Sequence, residues 1–173
     1  MEKVKLPLLN DEGYYEIRIE SIGGLGANLC GKMLGELALK FLGLNSAGFS
    51  SYGSEKTGTP VKAYVRYCRK DMEIRLNSPV KRPHMLCIFH EALMQNPEIF
   101  NGCSNDTVIV INSDIAPENI INSYLKANEI SGARLVCVPA PSIAMETKSR
   151  INVVMLGAMA KASGFIPMEC VNK

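Results

Sequence analysis

Three short stretches of this chain, "HMLCIF" from His84, "TVIVIN" from Thr107 and "RLVCVP" from Arg134, carry continuous apolar runs bounded by polar or turn-forming residues. Runs of this length read as strands covered on both faces, the pattern of a parallel sheet. A parallel pair cannot be joined by a tight turn, so helices are expected between them. That requirement narrows the chain to an α/β architecture.

The remaining segments fit around such a sheet. "YYEIRIESIG" alternates and stops at Gly23, which predicts a first strand. Leu25, Leu29, Met33, Leu37 and Phe41 then recur every fourth residue, with Leu34, Ala38 and Leu42 beside them, so a helix with one apolar face should follow and end at Gly43. Gly31 and Gly35 lie inside it, each costing about 1 kcal/mol relative to alanine unless a neighbour packs closely there. The sixteen residues "NSAGFSSYGSEKTGTP" read as the longest loop. "VKAYVRYC", with Val61, Ala63, Val65 and Tyr67 on one face, and "MEIRL", with Ile74 and Leu76 in step, read as an antiparallel hairpin joined by "RKD". A helix is signalled within "SDIAPENIINSYLKANEISGA" by Asp114 before it, Pro117 in its first turn and Gly132 past its end. The last helix, in "KSRINVVMLGAMAKASG", should close at Gly164. The sum is one domain over residues 1–173, with three α/β/α layers and a mixed, mostly parallel sheet that includes one antiparallel hairpin.

Charge and cysteine content limit the function. Nineteen basic against 17 acidic side chains leave a formal net charge of +2 without a basic block, so nucleic acid is not an expected partner. No eighteen uncharged apolar residues run together and the opening "MEKVKLPLLNDEGYY" lacks a secretory apolar core, so a cytoplasmic protein with no membrane contact is expected. The six cysteines are never closer than 16 positions, which offers neither a zinc nor an iron–sulfur spacing. Several sit in apolar runs and should be small buried hydrophobes. His84 and His90, at the two ends of one strand and about 20 Å apart at roughly 3.3 Å per residue, cannot share a metal.

The glycine turn "IGGLGANLCGKMLGELA" is the motif with chemical potential. It does not complete a dinucleotide fingerprint, because Leu29 stands where a third small residue belongs and no carboxylate follows at the distance a ribose needs. No Lys-Ser or Lys-Thr makes it a nucleotide triphosphate loop. Two readings of the residues remain open: a helix N-terminus whose free N–H groups accept a phosphate or carboxylate, or a sharp turn that only glycine permits.

Taken with "SSYGSEKTGTPVKAYVRY" after its helix, then "NSPVKRP", Asn152 and the Leu-Gly-Ala step near residue 157, this turn resembles the gamma subunit of 2-oxoacid:acceptor oxidoreductases, particularly the pyruvate:ferredoxin type. The resemblance spans about residues 19–159. It implies a Rossmann-like scaffold that is inactive alone and holds no catalytic residue or metal. Thiamine diphosphate and iron–sulfur clusters would belong to alpha, beta and delta partner subunits. It further implies a coenzyme A surface formed by Gly23, Gly24 and Gly26 with Ser51, Tyr52, Gly53, Ser54, Glu55, Lys56 and Gly58. The chain departs from the family's common pattern at Leu25, where a glutamine is usual, and at Lys56-Thr57, where arginine is favoured; the second change removes a bidentate phosphate clamp.

Other residues carry paired expectations. Arg66 should face away from the hairpin's apolar row, toward a ligand phosphate or a carboxylate of a neighbouring subunit. Glu55 should order its loop. Met155 and Met159 extend an apolar face with Ile151 and Val154 and are candidates for subunit contact. Besides the oxidoreductase subunit, the residues leave open an interaction subunit without ligand, an isolated chain that pairs with itself, and an independent NAD(P)-binding protein. The choice of 2-oxoacid would be made in other chains.

Overall fold

Tyr15, Ile17 and Ile19 alternate with Glu16, Arg18 and Glu20 along the strand β1, Tyr15–Ile22, and this alternation organises the sheet's two faces. The computed structural model describes residues 4–52 and 59–171. In it β1 lies third of six strands in the order β2-β3-β1-β4-β5-β6. Three strands run parallel to one another beside and with β1: β4 (Met85–Ile88), β5 (Val108–Asn112) and β6 (Arg134–Val138). On its other side β1 pairs antiparallel with β3 (Pro60–Arg69), and β3 pairs antiparallel with β2 (Leu44–Tyr52). The three expected parallel strands and the mixed sheet are thus present.

One face is covered by α1 (Ala27–Leu37) and α4 (Ile151–Ser163), whose Leu34, Leu37, Met155, Leu156 and Met159 pack on Ile17, Ile19, Val65 and Tyr67. Two short helices, α3 (Ala140–Glu146) and α5 (Met168–Val171), flank α4. The other face is covered beneath β4–β6 by 3₁₀ turns at 91–100 and by α2 (Pro117–Ile120), continued as a π-helical turn to Leu125; Met94, Phe100, Ile120 and Leu125 meet Ile88, Ile109 and Ile111 there. Three layers result, as expected.

The first helix ends as read: a π-helical turn, Ala38–Leu42, runs into Gly43 at φ 64°. Gly31 and Gly35 have the compensation their cost required, because a Cβ on Gly31 would lie 3.4 Å from Ala63 Cβ and one on Gly35 3.5 Å from Ser46 Oγ. α4 likewise closes at Gly164, φ 74°.

Three expectations are corrected. Residues 45–52, read as the first part of a loop running to Pro60, belong to β2, so the antiparallel hairpin is β2–β3. "MEIRL" is not a strand: its segment crosses the helix-free side of β1–β3, where Met72 O accepts from Asn45 Nδ2 at 2.8 Å and Glu73 O from Tyr14 OH at 3.2 Å. The helix signalled near Pro117 is also shorter than its pattern, giving way to turns after Leu125.

Arg66 is on the face predicted, yet it reaches neither solvent nor a neighbouring subunit. It is 3% exposed, and its Nε donates to Glu16 Oε1 at 2.8 Å. Met155 and Met159 are fully buried against the sheet and therefore cannot be a subunit contact. His84 Nδ1 accepts from Glu16 N–H at 2.9 Å while its ring stacks on Tyr15, and His90 Nδ1 accepts from Ala92 N–H at 3.2 Å; both are structural.

Candidate functional site

After Ile22 the chain must leave the sheet and enter α1 within a few residues, and the glycines permit the required backbone. Gly24 takes φ 101° and Gly26 φ 82°, both in the left-handed region that favours glycine. Gly26 is the N-cap of α1, so no side chain caps the helix, and its first turn holds no acidic residue. Among the described residues no side chain or acidic group compensates the N–H groups at that end or the positive end of the helix dipole.

A second helix begins at the same place. Asn152, in the first turn of α4, sits so close that a Cβ on Gly26 would come within 3.0 Å of its Cβ. The N-cap of α4 is Arg150; this end too has no side-chain cap and no acid in its first turn. Asn152 is 3% exposed, and its amide makes no hydrogen bond among the described residues. Two uncapped helix N-termini, an arginine and an unengaged amide thus converge, a combination suited to an anion.

These groups border a groove of about 470 Å³ whose other walls are Leu25, Leu29, Pro141, Ala144, Met145 and Ile151, with Ser149 beside Arg150. Leu29 is 46% and Met145 81% exposed, so the rim is apolar and open. The site could seat a molecule with an anionic end and an apolar body. Among the described residues no carboxylate lines it.

Of the residues read from sequence, Gly24 and Gly26 line this groove, and Gly23 anchors it by donating to Thr59 O at 3.0 Å. Ser51 and Tyr52 end β2, both exposed; Tyr52 OH accepts a hydrogen bond from Asn28 Nδ2 in the first turn of α1. Tyr52 and Thr59 are therefore both fastened beside the glycine turn. Gly53, Ser54, Glu55, Lys56 and Gly58 lie outside the described residues. Sequence reading missed Arg150 as a site residue and took Asn152 only as a family match; the available signal was a lone amide opening an otherwise apolar helix.

Among the described residues no three His, Cys, Asp or Glu side chains gather to hold a metal, and the donor set of an iron–sulfur cluster is not assembled. Cys30 and Cys87 are buried, and burial pushes the Cys30 thiol up to about 12, far from thiolate formation. No described helix is long and apolar enough to cross a membrane.

The family model for pyruvate ferredoxin/flavodoxin oxidoreductase matches residues 16–173. The chain is 32% identical to pyruvate synthase subunit PorC of Thermotoga maritima, over 92% of this chain and 80% of that one. It is 28% identical to the pyruvate/ketoisovalerate oxidoreductases common subunit gamma of Pyrococcus abyssi, over 90% of this chain and 82% of the relative. The crystal structure of the Thermotoga maritima PORC subunit superposes with a TM-score of 0.76 at 28% identity, covering 92% of this chain and 82% of that one. The fold, the glycine turn and these likenesses agree: the chain belongs to the pyruvate ferredoxin/flavodoxin oxidoreductase family, as a gamma subunit.

Proposed function

We propose that the chain serves a cytoplasmic enzyme that converts a 2-oxoacid and coenzyme A to an acyl-CoA and carbon dioxide, passing the released electrons to ferredoxin, and that it supplies the coenzyme A surface. Its partners are alpha, beta and delta subunits, which hold thiamine diphosphate and the iron–sulfur clusters. The reacting atoms lie on those chains, and no residue here is catalytic.

The observation that carries the coenzyme A assignment is the meeting of the two uncapped helix N-termini, Arg150 and Asn152 at one end of an apolar groove. A coenzyme A molecule offers the matching parts: phosphates for the N–H groups and guanidinium, and a largely uncharged pantetheine arm for the walls of Leu25, Leu29 and Ile151. Tyr52, bonded to Asn28 in the first turn of α1, borders the same end of the helix and would add a hydroxyl to the phosphate contacts.

Titration of coenzyme A into the assembled enzyme tests this reading. Arg150→Ala should weaken affinity about tenfold, the loss of one charge-assisted contact, with the 2-oxoacid KM unchanged. Unaltered coenzyme A affinity in both Arg150→Ala and Asn152→Ala would assign the groove and its apolar rim to a partner chain instead, and leave this subunit a scaffold.

A further inference from the structure

Nothing among the described residues pairs with the outer side of β2, one edge of the sheet. This strand runs nine residues, LNSAGFSSY, without a charge or a proline. Edge strands normally use such residues, shortness or bulges to refuse partners.

The ladder tells which main-chain groups are available. His84 N–H and Phe89 N–H donate to Glu16 O and Glu20 O, so the even-numbered residues of β1 bond toward β4, and its odd-numbered ones bond toward β3, as Gly23 N–H to Thr59 O confirms. Bonded and non-bonded pairs alternate in an antiparallel ladder. With the register Phe49↔Tyr64 and Ala47↔Arg66, the odd residues of β2 bond to β3. The main-chain groups of Leu44, Ser46, Gly48, Ser50 and Tyr52 therefore point outward.

We infer that this edge is the seat of a second copy of the chain, paired antiparallel through β2 about a two-fold axis at Gly48. In that register Gly48 meets Gly48 of the second copy, Ser46 meets Ser50, and Leu44 meets Tyr52. On the opposite face Ala47 meets Phe49, a small side chain against a large one.

Three observations favour a copy of the same strand over an unrelated one. Ser46 Oγ is buried without a hydrogen-bond partner, and the pairing brings it the Ser50 hydroxyl. Tyr52 is 67% and Leu39 55% exposed, at opposite ends of the groove between α1 and β2. Gly35 lies against Ser46, which sets Leu39, one turn on, over the Leu44 end of the strand. The two-fold then covers both exposed apolar residues by placing Tyr52 of one copy at the Leu44 and Leu39 end of the other. Finally, no strand position sets like charges opposite each other. The contact is isologous and closes as a dimer.

Sedimentation equilibrium of the full chain expressed without its partner subunits tests the inference. A dimer is expected, with the amides of Gly48 and Ser50 protected from hydrogen exchange at high protein concentration and released on dilution. Ser50→Pro, which removes an outward N–H while leaving the β3 ladder intact, should weaken dimerisation at least tenfold. Ser50→Lys, which inserts a charge, should do the same, with unchanged far-ultraviolet circular dichroism in both. A wild-type chain that stays monomeric, or a dimer indifferent to both substitutions, overturns the inference. A monomer whose Ser50→Pro variant fails to assemble with the other subunits also overturns it, and gives the edge to a strand of another chain.

Discussion

Asn152 packs directly on Gly26, although 126 positions separate them, and this contact holds the first turns of α1 and α4 together. A Cβ on Gly26 would sit 3.0 Å from Asn152 Cβ and 3.1 Å from its Cγ, at a φ of 82°. Gly24 has the same kind of φ and open space around it. Gly26→Ala should thus cost about 2 kcal/mol, strain plus contact, while Gly24→Ala should cost about 1 kcal/mol from strain alone. Urea denaturation of the two variants checks the order; equal losses would mean that Asn152 yields freely.

Arg66 and Glu16 are both more than nine-tenths buried and joined at 2.8 Å. Removing one partner strands the other charge in the sheet. Arg66→Ala should destabilise the chain by about 3–5 kcal/mol, and Arg66→Met combined with Glu16→Gln should recover much of that. Thermal unfolding of the single and double variants decides it. No recovery in the double variant would show that the pair's packing, rather than the orphaned carboxylate, dominates.

His84 is held below its ordinary value of 6.5 chiefly by burial, with the Glu16 carboxylate pulling weakly the other way. The neutral ring is also the form that accepts from Glu16 N–H. The unfolded chain therefore binds a proton more readily than the folded one. His84's contribution is complete above about pH 6.5 and is lost as pH falls through the lower folded value. The chain has two histidines, so proton NMR should separate a His84 resonance titrating below 6.5. His84→Gln should flatten the pH dependence of the urea midpoint near that value.

Met155 and Met159 face the sheet with no exposed surface. Met155→Glu plus Met159→Glu should abolish the folded chain, because two carboxylates would enter a core with no partner for them. Circular dichroism of the purified variant reads this directly. A folded variant that merely fails to join its partner subunits would restore the interface role that burial denies to these residues.

The strands that were legible in sequence, β4 to β6, are those whose signal is local: a short apolar run needs no knowledge of its neighbours. The caps of α1 and α4 were legible for the same reason, since Gly43 and Gly164 act within one turn. β2 was not, because LNSAGFSSY has little strand propensity and is held by pairing to β3 and by the close approach of Gly31 and Gly35 in α1. "MEIRL" misled in the opposite sense. Its alternation reflects a segment with one side against the sheet and one toward solvent, which does not require a strand's hydrogen bonds. At the site, the glycine turn could be found from spacing, whereas Arg150 came into view only once α4 lay beside α1. Arg66 was placed on the correct face, but its partner, fifty residues upstream, carries no mark in the sequence.

The central position of β1 has a consequence for how the chain emerges from the ribosome. Tyr15 pairs with Tyr67 and Ile17 with Met85, so neither flank of β1 has a partner when it is made. At a synthesis rate of about 5–20 residues per second, the first of these partners follows several seconds later. During that wait Ile17, Ile19 and the apolar side of α1 are an unfinished surface, open to any chaperone or to a neighbouring nascent chain. The β2–β3 hairpin arrives next, ahead of β4, and it is the piece that first gives β1 an edge to lean on.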